Sequence, residues 1–268
     1  CGREEKVNLP APAAAPATTS AALRTSYAEV VKRVSASVVT IRTESRSGAP
    51  QQFPFMDEPF FHRFFGAPQS PAPEQRVRGL GSGVIVTADG YILTNHHVID
   101  GAQRIDVDLQ GPRTVTAKLV GSDPPSDLAV LKIAESGLTP LALADSDKVQ
   151  VGDVVLAVGN PLGIGQTVTL GIISAKGRRT GLSNGSFEDF LQTDAPINRG
   201  NSGGALVDGN GDLVGINSQI LSPSGGSIGI GFAIPSNMAR DVLDQLVKNG
   251  KVTRGHLGVK VQPVTEEI

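Results

Sequence analysis

The chain has 268 residues, 39% hydrophobic and 19% charged, which is room for one large domain or two small ones of ordinary globular composition. A formal net charge of −2 leaves no electrostatic footprint for nucleic acid or an anionic membrane, and no apolar run reaches the roughly 18 residues of a membrane-spanning helix. The single cysteine, Cys1, excludes an intrachain disulfide.

Residues 1–25 are rich in Ala, Pro and Thr with little apolar patterning, and read as a disordered tether. No signal peptide is visible, and a mature chain that had lost one would look the same. Cys1-Gly2 fits two readings: a lipid-anchored cysteine exposed by signal removal, or a plain chain boundary. A short helix is predicted over Tyr27–Val34 and a first strand over Ser37–Arg42. Residues 44–78 break the pattern with many Gly, Pro and Gln. Six of the nine Phe fall there, at Phe53, Phe55, Phe60, Phe61, Phe64 and Phe65. A loop of this length is functional or disordered, and its Phe need either a contact surface or a satellite core beneath them.

From Gly79 onward strand-like runs follow one another at the spacing of a sandwich or barrel. They are Gly83–Thr87, Tyr91–Thr94, Arg104–Leu109, Thr114–Gly121 and Leu128–Ile133, then Val154–Val158, Thr167–Ala175, Phe190–Thr193, Ala205–Val207, Leu213–Ser218 and Gly229–Ala233. Frequent glycine (32 residues) and few aromatics (4%) agree with an all-β chain of tight turns. There are strands enough for two small barrels, about 26–140 and 150–235, divided near Ser136–Val151. One helix is predicted over Asn237–Asn249, with Ser236 as N-cap and Gly250 at the C-terminal stop.

Three stretches carry chemistry. Ser202 lies in Gly200-Asn201-Ser202-Gly203-Gly204, where glycines let successive N–H groups converge on one spot that can hold an oxyanion. Taken alone, this could be a glycine-rich surface turn. His96 and His97 follow an apolar strand. They are the main source of a general base, since the other histidines, His62 and His256, lie in the Phe-rich loop and the tail. If the pair sits on the strand, alternation lets only one face a site, and the pattern does not say which. Asp127 stands at the mouth of an apolar strand, where a carboxylate can fix an imidazole's tautomer. Asp100, Asp106, Asp108 and Asp123 are its rivals. The order His, Asp, Ser is that of chymotrypsin-like proteases.

The stretches TNHHV, SDLAVL and GNSGGAL, with GLGSGVIVTADGYILTNHHV, VGNPLGIGQTVTLGIIS, LQTDAPINRGNSGGALVD and IGIGFAIPSNMA, resemble the HtrA family of bacterial serine proteases. The likeness runs over about residues 27 to 265. It implies a trypsin-like double six-stranded β-barrel with a C-terminal helix, and a serine endopeptidase of the bacterial periplasm that degrades unfolded or misfolded proteins without cofactor or metal. It selects His97 over His96 as the base, Asp127 as its partner and Ser202 as the nucleophile. His96 itself departs from the small or amide residue usual there. The oxyanion hole would comprise the N–H groups of Gly200 and Ser202, with Asn201 beside them. Ile197, Ile220 and Leu221 would line the pocket for the residue before the cut, favouring small or medium apolar side chains. The Phe-rich segment 53–65 matches the family's regulatory loop, and the segment around Tyr27 its trimer contact. Residues 251–268 resemble the opening of a PDZ domain cut short.

Asn201 carries no charge to pair with a freed N-terminus, as an Asp there does in digestive relatives. The expected control of activity is therefore loop rearrangement, not zymogen cleavage. Two rivals remain at this level. Gly200–Gly204 also fits the Gly-x-Ser-x-Gly of an α/β-hydrolase, which needs a helix directly after the serine, whereas Ala205–Val207 reads as a strand. Alternatively, a protease fold with an inactive or latent site could serve as a binding or chaperone module.

Overall fold

The computed structural model describes residues 26–46, 76–160, 165–181, 187–222, 226–255 and 258. The predicted tether, Cys1, the six Phe from Phe53 to Phe65, and most of segment 251–268 lie outside the described residues.

Helix α1 (Ala28–Ser35) leads into β1 (Val38–Arg46), β2 (Arg76–Ile85) and β3 (Tyr91–Thr94). A four-residue helix α2 (His96–Ile99) precedes β4 (Arg104–Asp108), β5 (Thr114–Thr116) and β6 (Lys118–Asp123). A 3₁₀ turn at Pro124–Ser126 then feeds β7 (Leu128–Lys132). The second half holds β8 (Val154–Gly159), β9 (Thr167–Arg178), β10 (Phe190–Thr193), β11 (Ala205–Asp208), β12 (Leu213–Ile220), β13 (Gly231–Pro235) and α3 (Ser236–Asn249).

The second half is a closed six-stranded barrel, in the order β10-β13-β12-β11-β8-β9. The first half has the order β5-β4-β1-β2-β3-β7-β6. Its two outermost strands are consecutive in the chain. At Ala117 the backbone still donates to Ile105 O of β4 (2.9 Å), and from Lys118 onward it pairs with β7. The sheet therefore curls until its ends meet, and the predicted single strand Thr114–Gly121 is one path that changes partner midway. Counting that path once gives six strands, as the sequence implies.

Alternation sorts the apolar side chains into three cores. Val39, Ile41, Ile92, Val107, Ala129 and Leu131 fill the first half. Val155, Ala157, Ile173, Leu191, Leu206 and Val214 fill the second. Between them lies a third cluster drawn from both: Val84, Leu93, Leu128 and Val130 meet Leu156, Val158, Ala205, Val207 and Ile216. Strands β7 and β8 are thus buried on both faces, which explains their near-continuous apolar runs. Helix α3 adds Ala239, Val242 and Leu246 at helical spacing to the shared cluster, and α1 adds Val30 and Val34.

Several strands run longer than expected, β2 starting at Arg76 and not Gly83, and two further boundaries differ for local reasons. Ser236 is the first residue of α3 and not its cap; its hydroxyl donates to Ala144 O (2.8 Å), anchoring the helix to the inter-barrel linker. Strand β13 begins at Gly231 and not Gly229, whose φ of +83° belongs to the preceding turn. Gly250 does stop α3 in the left-handed conformation, donating to Leu246 O (2.9 Å).

Asp123, at the end of β6, is a deeply set ion-pair carboxylate. Its side chain is 6% exposed and takes both forks of the Arg254 guanidinium, one at 2.7 Å, and the Ser126 amide and hydroxyl. The guanidinium also lies 4.8 Å from the Phe187 ring centroid. Burial opposes ionisation of Asp123 more than any single contact favours it, but Arg254 and Ser126 together outweigh it and hold the pKa below the ordinary carboxylate value. A lowered folded-state pKa stabilises above the unfolded value and is lost as pH falls toward the folded one. Asp123→Asn is expected to cost about 2–3 kcal/mol at pH 7, with the gap from wild type constant down to about pH 5 and shrinking below about pH 4. Urea denaturation across that range checks it; a gap that widens on acidification contradicts the assignment.

Candidate active site

Asp127 follows the 3₁₀ turn with φ +54°, the one positive-φ residue other than glycine among the described residues. That conformation costs roughly 1–2 kcal/mol and persists because the surroundings over-determine it. The Asp127 carbonyl accepts from the His96 N–H (3.1 Å) and from Asn95 Nδ2 (3.0 Å). Its carboxylate accepts from the His97 N–H (3.0 Å) and lies 2.9 and 2.8 Å from His97 Nδ1. Helix α2 and the left-handed turn are thereby locked together through both ends of one aspartate.

This arrangement fixes the imidazole. A carboxylate only accepts, so the proton sits on His97 Nδ1 and Nε2 carries the basic lone pair. Burial again opposes ionisation of Asp127 most strongly, yet the His97 charge, the hydrogen bonds from its ring and backbone, and the Ser218 hydroxyl keep its pKa below the ordinary value. The rival aspartates are occupied elsewhere: Asp106 by Arg104 (2.8 Å), Asp108 by Arg42 (2.6 Å), and Asp123 by Arg254. His96 is turned away by the rotation of a helix, and not by strand alternation as expected. Its Nε2 faces Asp100 at 3.8 Å, and its Nδ1 is buried without a hydrogen-bond partner among the described residues.

The second half brings in Ser202. Gly200 has φ +93°, and the Asn201 N–H donates to Asn198 O (3.0 Å), which is a type II turn with glycine at its third position. Among the described residues, the buried N–H groups of Gly200 and Ser202 donate to nothing. Two orphan amides two residues apart form an anion-binding nest. The Asn201 N–H closes the turn and is not free to join them. Gly203 is needed because a Cβ there would stand 2.1 Å from Ser82 O and 2.3 Å from Thr94 Oγ1, at φ +81°.

Ser218, on β12, joins the two halves, and sequence reasoning missed it. Its hydroxyl donates to Asp127 Oδ2 (2.9 Å), and its carbonyl accepts the Ser202 hydroxyl (2.9 Å). In β12 (LVGINSQI) it stands between Asn217 and Gln219, so the sequence carried no signal for its burial, 3% exposed in the fold. Because a hydroxyl has one proton, Ser202 points it at Ser218 in this state and must rotate to present it to His97.

Ile197 and Ile220 share the core of the second barrel and are fully buried, while Leu221 is 45% exposed beside them. Of the three, only Leu221 is presented at the surface. The α/β-hydrolase reading is ruled out: Ser202 is followed by the β11–β12 hairpin and not by a helix.

Fold and site together define a trypsin-like peptidase domain, and residues 81–216 match the trypsin-like peptidase domain family. The chain is 52% identical over 245 residues to the periplasmic pH-dependent serine endoprotease DegQ of Escherichia coli K12, covering 91% of this chain and 53% of DegQ. It is 46% identical over 273 residues to the periplasmic serine endoprotease DegP of the same strain, covering 93% and 57%. Among solved structures, the HtrA-type protease AlgW with a decapeptide superposes at TM-score 0.75 and 49% identity, over 91% of this chain and 74% of that one. The chain belongs to the HtrA family of serine proteases, and it spans about half the length of the curated relatives it matches.

Proposed function

We propose that this chain is the catalytic part of a serine endopeptidase acting on unfolded or misfolded proteins in the bacterial periplasm. The observation that carries the reading is the pair of unpaired amides at Gly200 and Ser202, beside a serine joined through Ser218 to the His97–Asp127 pair. Ser202 Oγ attacks the scissile carbonyl carbon while His97 Nε2 takes its proton. The carbonyl oxygen, now negative, is held by the Gly200 and Ser202 N–H groups. Asp127 keeps the ring in place and stabilises the imidazolium. The same proton then goes to the leaving amine, and water, activated by His97, releases the acyl chain.

The apolar character of Ile197, Ile220 and Leu221 supports a preference for Val, Ile, Leu, Ala or Thr before the cut. Such residues are buried in folded proteins, so their exposure marks unfolded chains. The names of DegQ and DegP support the periplasm as the site of action. Trimers formed through the segment around Tyr27 fit the family. A second reading has its own support: the Ser202 proton on the Ser218 carbonyl and the closed pocket fit a latent site that binds unfolded chains before it cuts them.

A fluorophosphonate probe should label Ser202. Ser202→Ala should abolish labelling and lower casein cleavage by at least about a thousandfold. An unlabelled wild-type chain, tested with peptides that open the pocket, overturns the reading. A peptide library should return apolar residues before the cut; a profile led by Lys or Arg contradicts the pocket assignment. Light scattering should give the mass of a trimer, and a monomer at working concentration removes that part of the proposal.

A further inference from the structure

Ser82 lies on β2 in the first half, fully buried, between Gly81 and Gly83. All its polar groups are engaged. Its N–H donates to Ser202 O (2.8 Å) and its hydroxyl donates to Gly200 O (2.6 Å). The hydroxyl oxygen accepts from the Asn160 N–H (2.9 Å), and the Ser82 carbonyl accepts from Thr94 Oγ1 (2.7 Å). Three of these four bonds cross to the other half of the chain.

We propose that Ser82 is a positioning residue that sets the aim of the oxyanion-binding amides. The inference rests on the catalytic reading given above for Gly200 and Ser202. The reason is geometric. A carbonyl and the N–H of the following residue share one rigid plane. Ser82 grips the carbonyls of Gly200 and Ser202, so it fixes the planes on either side of the one carrying the Ser202 N–H. It also fixes the C-terminal side of Gly200, a residue whose own backbone offers the least resistance to turning. Among the described residues neither amide has a partner of its own, and the plane carrying the Ser202 N–H is held within the loop by the Gly204 N–H donating to Asn201 O (2.9 Å). The two bonds from Ser82 are the ones that tie this loop's flanking planes to the other half of the chain.

The clamp is also the route by which one half registers the other. Asn160 bonds Ser82 through its backbone and donates from Nδ2 to Thr40 Oγ1 (2.7 Å), directly across the β1–β2 ladder from Ser82. The nucleophile loop is therefore referenced to the sheet that supplies His97, and the distance between base and nucleophile is set by hydrogen bonds as well as by apolar packing.

An ordinary buried serine adds stability through its hydrogen bond and nothing more. The two roles separate experimentally. In Ser82→Ala, kcat on a peptide substrate should fall about ten- to a hundredfold while KM stays within about twofold, because misplaced donors are felt in the transition state. Affinity for a peptide boronic acid, whose tetrahedral adduct places an oxygen in the nest, should fall in parallel. Affinity for an uncleaved peptide of the same sequence should not. Ser236→Ala is the control: it also loses a buried hydroxyl-to-carbonyl bond, the 2.8 Å bond to Ala144 O, far from the site. It should lower Tm similarly and leave kcat unchanged. Ser82→Cys, closer in size and a weaker donor, should fall between wild type and Ser82→Ala, and carries the test if the alanine variant does not fold. A kcat for Ser82→Ala or Ser82→Cys within about twofold of wild type, or a loss equalled by Ser236→Ala at matched Tm, overturns the proposal. Labelling of wild-type Ser202 by a fluorophosphonate, run alongside, separates the outcomes: no labelling sinks the catalytic reading itself, whereas equal labelling rates in wild type and Ser82→Ala sink the clamp alone.

Discussion

The seam between the two halves is the constraint on which the site depends. Neither half holds all the groups of the proposed reaction: His97 and Asp127 come from the first, Ser202 and the Gly200 and Ser202 amides from the second. What brings them together is an apolar cluster to which both contribute, with β7 and β8 buried on both faces. Such packing is short-ranged and nearly incompressible. It brings the halves to the right separation but does not orient side chains. Orientation comes from the polar bonds laid over it, at Ser218 to Asp127 and at Ser82 to Gly200 and Ser202. The order of effects is therefore burial first and direction second.

Within the site, cost and benefit fall on the same residue. Asp127 occupies a conformation unfavourable to it, and in that conformation its carbonyl and carboxylate both meet α2. Two observations describe a site at rest. The Ser202 proton is directed to a carbonyl, and two of the three expected pocket residues are sealed in the core. The His97–Asp127 pair is assembled in this state, and under the proposed reaction the Ser202 rotamer and the wall over Ile197 and Ile220 still have to move. That division agrees with the uncharged Asn201, which makes no ion pair to a chain terminus and spends its amide on the type II turn.

Much of this was legible in the sequence because the signals were local. Tyr91–Thr94 and Phe190–Thr193 have the predicted bounds, since turn residues mark both ends of each. The glycines of Gly200–Gly204 pointed to close backbone approach, and the structure supplies the reasons at Gly200 and Gly203. What was not legible depended on partners distant in the chain. The break at Ala117 comes from an exchange of neighbouring strands, which no window of sequence contains. The histidines sit on a one-turn helix and not on a strand, because Asp127, thirty positions later, bonds the His96 and His97 amides. Ser218 closed a predicted strand and Ser82 fell just before one, and their importance lies in what the other half places against them. Ser236 read as a cap because serine at a helix start usually is one; the Ala144 carbonyl drew its hydroxyl away.

The exchange of partners at Ala117 has a consequence for a protein proposed to handle unfolded chains. An open sheet offers unsatisfied backbone to any extended polypeptide, and such a client would bind there by adding a strand. Here one sheet is a closed barrel and the other curls until its outermost strands are consecutive stretches of one path. Sticky, half-folded clients therefore find few places to zip onto the framework. Under the proposed function such clients would engage through side chains, and the scaffold would be protected from strand pairing with the chains it handles.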